Sequence, residues 1–340
     1  MSEQPLVSII TPCYNGETYV HRYFESILAQ TYPRMEVYFV NDGSTDRTEE
    51  IALRYKEKLE ARGISMTYIY QENAGQAAAV NRALPLFQGE YLTWPDSDDW
   101  MSPDCVEKKV RYLEGHPDKG LVLCKSAVVS EDQLDRTAWF LQRNAVSSGR
   151  VFDDLIFEND IYFAPGGYMV RSEAMLNAIP QRRIYECKTG QNWQLLLPVA
   201  YRYECGFLDD VLYYYLVRKS SHSRAEVTYQ DQVEKTYRHQ DTLDHVVGEI
   251  EMPEEERREY LHKIKLKYIR KRLRLAAQFH QRGAAKEEYG NLLRENAAAP
   301  EDRKAYLRGQ YRTLDGFCRL AALSERAVRK LIGIIRRNPA

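Results

Sequence analysis

The chain has 340 residues, with 48 Lys+Arg against 49 Asp+Glu and a hydrophobic fraction of 44%, which excludes disorder throughout and allows a sizeable core in one large or two modest domains. The net charge of −1 hides two unlike parts: residues 248–340 hold 22 Lys/Arg and 13 Asp/Glu (+9), leaving 26 and 36 (−10) for residues 1–247. An acidic body with a basic tail points to an anionic surface as a partner, and no apolar run approaches the about 18–20 residues of a spanning helix.

Met1 to Gln4 lead straight into a strand-like run, so no signal peptide is expected. Residues 6–11 (LVSIIT) form a short β-rich run ended by Pro12, and residues 17–30 place Val20, Phe24, Ile27 and Leu28 at helical spacing. Residues 36–40 (EVYFV) are a second strand, stopped by Asn41-Asp42-Gly43-Ser44, and Asp46 can cap the helix that follows to about residue 62. A third strand (66–70), a third helix (75–87) and a fourth strand (90–94) follow. This alternation predicts a doubly wound parallel sheet, whose ligands bind beyond the carboxyl ends of its strands. Later, 103–115 reads as a helix, 120–129 as a buried strand, 164–167 as a turn and 211–217 (VLYYYLV) as a strand. From Pro253 the chain is expected to be helical, with breaks near Gly283 and Ala299-Pro300. The six cysteines are scattered with no C-x-x-C pair and read as reduced core thiols of a cytosolic protein.

Polar or acidic groups follow all four strands of the first half: Pro12-Cys13-Tyr14-Asn15, Asn41-Asp42-Gly43-Ser44, Gln71-Glu72-Asn73-Ala74-Gly75 and Pro95-Asp96-Ser97-Asp98-Asp99. Three carboxylates in four residues repel one another and need a cation or hydrogen-bond donors. Oxygen ligands suit Mg²⁺ or Mn²⁺, and those ions suit diphosphates. The plainer alternative is a loop in which Ser97 or Asp99 caps the helix after Pro103. Asp42, one residue beyond its strand, is free to accept the N–H of a base, whereas Asn73, Gly75 and Asn81 also fit loop and helix-cap roles. No G-x-G-x-x-G follows the first strand and no G-x-x-x-x-G-K-[ST] occurs, so a metal, not a glycine loop, has to meet phosphate charge.

Residues 5 to about 220 resemble family-2 glycosyltransferases of the GT-A fold, in the nucleotide-diphospho-sugar transferase superfamily. The likeness rests on Val7-Ser8-Ile9-Ile10-Thr11-Pro12-Cys13-Tyr14-Asn15, Ser26-Ile27-Leu28-Ala29-Gln30-Thr31-Tyr32, Val40-Asn41-Asp42-Gly43-Ser44-Thr45-Asp46, Asn73-Ala74-Gly75-Gln76 with Asn81, and Trp94-Pro95-Asp96-Ser97-Asp98-Asp99, five pieces in order. The resemblance implies an α/β, Rossmann-like, doubly wound and mostly parallel sheet over residues 1–225, with a helical basic region over 226–340. It implies a metal-dependent, inverting transfer of a sugar from a nucleotide-diphosphate donor, usually UDP-linked, to a hydroxyl of a glycan or lipid-linked saccharide, in surface polysaccharide synthesis. By position, Pro12 and Tyr14 would line the nucleoside pocket, Asp42 would bind the base, and Asn15, Asn73 and Gly75 would complete the donor rim. Asp96 would contact the ribose or sugar, and Asp98 would bind Mn²⁺ or Mg²⁺, with Asp96 beside it.

One departure stands out. Inverting members usually carry a Glu-Asp pair before a tryptophan-led helix, the Asp being the general base; here the segment reads Gly190-Gln191-Asn192-Trp193-Gln194-Leu195. An amide orients an acceptor but takes no proton, so Gln191 and Asn192 hold the position while Glu186, Asp209 or Asp210 would serve as base. For Asp209-Asp210 the plainer alternative is a solvated turn before the strand at 211–217. His222, in a polar loop after that strand, is a further metal or diphosphate ligand, assisted by Arg218 or Lys219, or simply exposed. In the tail, residues 257–274 hold nine Lys/Arg and one acidic residue, with Leu261, Ile264, Tyr268, Ile269 and Leu273 at helical spacing, and Val328, Leu331, Ile332 and Ile335 repeat the design. These helices either pack on the catalytic domain or attach it to anionic lipid at the inner face of the cell membrane; the acidic rim opposes a nucleic-acid partner. The alternative to an enzyme is a degenerate domain that binds a nucleotide sugar or a partner without turnover. A nucleotidyltransferase lacks its usual glycine-rich basic loop.

Overall fold

All seven residues of the first strand, Val7–Cys13 (β1), are buried, the mark of a strand covered on both faces. The computed structural model describes residues 4–141, 149–159, 164–187, 190–218 and 228–311. On one side β1 pairs in parallel with Met35–Asp42 (β2), which pairs in parallel with Ser65–Gln71 (β3); on the other it pairs with Tyr91–Thr93 (β4). Helices Val20–Leu28 (α1), Thr48–Ala61 (α2) and Gln76–Ala83 (α3) connect them. Val7, Ile9, Val37 and Phe39 share one cluster with Phe24, Ile27, Ile51, Tyr55 and Val110, which puts α1 and α2 on that face. Tyr38 points from the opposite face and donates to the Leu86 carbonyl just past α3, at 2.8 Å.

The chain continues through Trp100–Met101 (β5), Cys105–Gly115 (α4), Lys119–Ser130 (β6), Gln133–Leu141 (β7), Phe152–Phe157 (α5), Tyr168–Arg171 (β8), Ser172–Ala178 (α6), Gln191–Arg202 (α7) and Glu204–Val217 (β9). The sheet runs β3-β2-β1-β4-β8-β6-β9-β5, with β7 beside β6. Strands β1 to β4, β6 and β9 share one direction, and β5, β7 and β8 run against it. The fold is the expected α/β type with a mostly parallel sheet.

Several boundaries differ from expectation for identifiable reasons. Strand β1 continues through Pro12 because β4 pairs only with Val7 to Ile9, and a proline is tolerated where one edge of a strand is open. Strand β2 runs on through Asn41 and Asp42, so Asp42 is its last residue and not one beyond. Helix α3 ends at Ala83, short of residue 87, because Pro85 cannot continue it. Asp209 and Asp210 are not a turn. They lie inside β9 as an irregularity: Leu208 pairs with Cys124 and Val211 with Lys125, leaving two extra residues. Each carries a lysine partner, Lys125–Asp209 at 3.5 Å and Lys108–Asp210 at 2.6 Å.

The chain divides into two compact units, Met1–Ala225 with Asp241–Arg257, and Glu226–Gln240 with Arg258–Ala340. Helices Tyr229–Glu249 (α8), Glu254–Gln278 (α9), Arg282–Arg294 (α10) and Pro300–Gln310 (α11) make up the rest of the described chain. The second unit has its own small core of Ile269, Leu273, Ala276, Ala285 and Leu292. Of the apolar stripe for which both protein packing and lipid attachment were open, Ile264, Tyr268, Ile269 and Leu273 are buried in protein. Part of the basic charge is also answered internally, by Arg272–Glu288 at 2.8 Å and Arg270–Asp302 at 3.0 Å. Val328, Leu331, Ile332 and Ile335 lie outside the described residues. Among those described, no helix is long and apolar enough to cross a membrane.

Gln30 is wholly buried and ties α1 to α4: its amide donates to the carbonyls of Ser26 and Ser102, and its oxygen accepts Val106 N–H at 3.1 Å. Gln30→Leu strands a buried carbonyl and a helix-terminal N–H, so urea unfolding should show a loss of about 2–4 kcal/mol.

Candidate active site

The loops after β1, β2 and β3 are fastened to one another by hydrogen bonds. Asn15 adopts a left-handed φ of 49°, a conformation asparagine tolerates. Its N–H donates to Ser44 Oγ at 2.9 Å and its Oδ1 accepts Thr45 N–H at 2.9 Å. Asp46 accepts the N–H of Thr48 at the start of α2 and the N–H of Glu17, both at 3.0 Å. Burial by itself would raise the Asp46 carboxyl; the bonds from Thr48 and Glu17 overcome it and hold the group below its ordinary range. Asp42, only 4% exposed, accepts Gln71 Nε2 at 2.7 Å and the N–H groups of Ala74 and Gly75 at 2.9 Å. It is therefore engaged as the fastener of the loop after β3, not free as its position suggested. Gly43 packs against that loop so closely that a Cβ would lie 2.5 Å from Asn73 N, and Gly75 needs its φ of 94°. Pro12 is buried in β1, while Tyr14 beyond it stays 48% exposed.

The loop after β4 carries the acid cluster. Asp96, Asp98 and Asp99 each offer a carboxylate oxygen within 4.8 Å of the others. Asp99 has no exposed surface and accepts Tyr213 O–H at 2.8 Å and Leu216 N–H at 2.7 Å, so it is pinned to β9 and does not cap α4. The Tyr213 oxygen accepts Asp96 N–H at 3.2 Å, and Gln76 Nε2 stands 3.4 Å from Asp96 Oδ1. Asp98 Oδ2 lies 3.0 Å from Arg218 Nε. Burial, then the charge of Asp98, pushes the Asp96 carboxyl up to about 7, and burial also raises Asp98 and Asp99; Arg218 pulls the first two the other way. Three carboxyls this close cannot all ionise without a cation. Hard oxygen donors, with Asp96 and Asp98 still partly accessible, fit Mg²⁺ or Mn²⁺.

The helix with the unexpected amides adjoins this loop. Asn192 Oδ1 accepts the indole N–H of Trp94 at 2.8 Å, and Gln191 opens α7 after the left-handed Gly190. Asn81 exchanges two 2.8 Å bonds with Ile184 and approaches Glu186 Oε1 at 3.3 Å, a brace between α3 and the segment before α7. Glu186 also pairs with Arg183 at 2.9 Å. Asp209 is 94% exposed on its side chain and sits on Lys125. His222 lies outside the described residues. Sequence reasoning missed Tyr213, one of three successive tyrosines and the one that is wholly buried, and missed Tyr19, whose ring faces Arg218 at 5.1 Å. Neither sits in a recognisable motif; the sheet register brings in Tyr213, and a hydrogen bond to Glu131 beyond β6 brings in Tyr19.

Residues 8–179, half of the chain, match the family described as Glycosyl transferase family 2. The chain belongs to that family. An uncharacterized glycosyltransferase of Rickettsia typhi is 36% identical over 154 residues, 45% of this chain and 46% of the relative. The putative teichuronic acid biosynthesis glycosyltransferase TuaG of Bacillus subtilis is 42% identical over 110 residues, 32% and 42% of the two chains. The chain thus spans less than half the length of these curated relatives. Residues 1–349 of Staphylococcus aureus TarS, crystallised with UDP-GlcNAc, superpose with a TM-score of 0.61 at 19% identity, covering 93% of this chain and 92% of that one. That likeness extends the family-2 fold, of GT-A type, past the matched segment.

The Asp42 geometry carries a testable consequence. An amide at this position accepts through one oxygen where the carboxylate uses two, so Asp42→Asn should cost about 1–3 kcal/mol and speed hydrogen exchange at the Ala74 and Gly75 amides.

Proposed function

We propose that this family-2 member transfers a sugar from a nucleoside-diphosphate donor, with UDP as the nucleotide, to a hydroxyl of a glycan or lipid-linked saccharide. The observation that carries the reading is the cluster of Asp96, Asp98 and Asp99 beyond the carboxyl end of β4, beside the ends of β1 and β2. UDP is favoured by the UDP-GlcNAc found in TarS, and a surface polysaccharide as product by the teichuronic acid role in the name of TuaG. Asp98, with Asp96, would hold Mn²⁺ or Mg²⁺, which when bound supplies positive charge to the departing diphosphate. Pro12, Tyr14 and Asn15 line the nucleoside side, and the Asp42-fastened loop with Asn73 and Gly75 closes the base pocket. Tyr213, through Asp99 and the Asp96 N–H, keeps the carboxylates aimed at the donor.

In an inverting transfer the acceptor oxygen forms its bond to the anomeric carbon as the bond to the diphosphate breaks, and the acceptor proton goes to a base. Asn192 cannot be that base; its Nδ2 donates to and orients the acceptor while its oxygen stays on Trp94. Glu186 precedes this helix by five residues and reaches Asn81 of α3 at 3.3 Å; it takes the proton in preference to Asp209, whose side chain is 94% exposed inside β9, and Arg183 must leave it for that step. A second reading, binding without turnover, is favoured by that same Trp94–Asn192 bond, which shows an amide used for structure at the position where inverting members carry their base.

A screen of nucleotide-sugar donors for nucleoside diphosphate release, with lipid-linked and soluble saccharides as acceptors, separates the two readings: release supports the enzyme, and none under any pairing supports the binding module. Asp98→Ala should remove the Mn²⁺-dependent part of UDP affinity and cut turnover at least about 10²-fold. UDP affinity indifferent to both the metal and this substitution would defeat the metal assignment. Glu186→Gln should lower turnover about 10²- to 10⁴-fold with donor affinity kept. If the acceptor is carried on lipid, the basic residues 325–340 are the segment suited to the inner face of the membrane, and flotation with anionic liposomes should fall when they are deleted.

A further inference from the structure

We infer that Arg218 is the built-in cation of the acid cluster in the unliganded protein, and that a divalent ion binds Asp98 only by displacing it. The inference rests on the reading of Asp98 as a metal ligand. The Arg218 Nε stands 3.0 Å from Asp98 Oδ2, with both side chains largely buried. The guanidinium is not placed there by chance flexibility. Its carbon lies 5.1 Å from the centroid of the Tyr19 ring, and an aromatic face both attracts and levels such a group. Tyr19 is held in turn, its hydroxyl donating to Glu131 Oε1 at 2.8 Å. Glu131 N–H donates to the Val217 carbonyl at 3.1 Å, and Val217 is the ladder partner of Ser130. The sheet therefore fixes the backbone at Arg218, the ring under its side chain and the carboxylate in front of it.

Asp98 Oδ2 is an atom a hard dication would seek, and a guanidinium already occupies it. Two cations on one carboxylate repel each other strongly in a partly dry site whichever of its oxygens each takes, so the arginine-bound form opposes the metal-bound one. Arg218 thus does two things in the free chain: it offsets the mutual repulsion of three clustered carboxyls, and it sets a penalty on metal uptake before a donor arrives. A diphosphate carried in with the ion provides the negative charge that the displaced guanidinium loses. Metal affinity in this chain is then governed by a residue that is not itself a ligand.

The test is a Mn²⁺ titration of the full chain without nucleotide, with free Mn²⁺ counted by electron paramagnetic resonance. Arg218→Gln should bind Mn²⁺ at least about tenfold more tightly than the parent, Arg218→Lys should stay within about threefold of it because the charge remains, and Asp98→Asn should lose the site. Thermal unfolding gives a second readout: Arg218→Gln should melt lower than the parent without metal and gain more from added Mn²⁺. If Arg218→Gln binds Mn²⁺ no better than the parent while Asp98→Asn abolishes binding, the displacement idea is wrong and the metal site stands. If Asp98→Asn binds as tightly as the parent, the metal-site reading itself fails. Arg218→Ala replaces the glutamine variant in both readouts should the latter not fold.

Discussion

A carboxylate with no exposed surface is an expensive thing to keep, and Asp99 is one. It is tolerated because Tyr213 O–H and Leu216 N–H meet both of its oxygens, and both donors belong to β9, more than a hundred residues along the chain. The acid loop is thus held in position by donors that the pairing of β9 with β6 presents. Tyr213 is itself wedged. A Cβ on Gly166 would lie 2.1 Å from its ring and 2.8 Å from Pro95, so the glycine lets ring, turn and acid loop close on one another. Lys109, wholly buried, holds that turn through the Gly166 carbonyl at 2.6 Å. The site is thus assembled by the late half of the sheet, although its most conspicuous residues lie in the early half.

The charge imbalance between the two ends of the chain has a local anatomy. In the acidic part, carboxylates are concentrated where the sheet ends: Asp42 and Asp46 are spent on fastening loops, and Asp96, Asp98 and Asp99 are left sharing a small volume with one guanidinium. In the basic part, arginines partly turn inward, Arg272 onto Glu288 and Arg270 onto Asp302. An ion pair as deep as Arg272–Glu288 is weak ground for stability, since desolvation offsets much of its attraction. It does show that the nine basic residues of 257–274 are not simply a free surface charge.

The first hundred residues were legible because their structure is local. Alternating runs such as EVYFV, ended by Asn-Asp-Gly-Ser, announce a strand and its loop without knowledge of any partner, and the parallel order β3-β2-β1-β4 follows from the crossover helices. The second half depends on distant pairing. Strand β5 is two residues long and exists only through Tyr213 and Tyr214; β7 is mostly exposed and carries no buried run. The irregularity at Asp209 and Asp210 reads as a turn in sequence because two adjacent acids between apolar runs look like one, and only the register against β6 shows the strand continuing. At the site the carboxylates were visible from their spacing, whereas Asp42's engagement was hidden: its donors are backbone N–H groups of Ala74 and Gly75, which no side chain advertises.

The amide at Asn192 can be understood from the same crowding. Its oxygen holds the Trp94 indole, and Trp94 precedes Asp96 by two residues, so whatever stands at 192 shapes the wall of the acid cluster. An aspartate would accept the same bond with an equal reach. It would also bring a fourth carboxyl toward a cluster of three, of which Asp98 is paired with Arg218 and Asp99 held by Tyr213 and Leu216, and like charges at close range in a partly buried site raise one another's pKa. With Asp99 present as a third, wholly buried acid, the amide keeps the indole in place without adding to the repulsion.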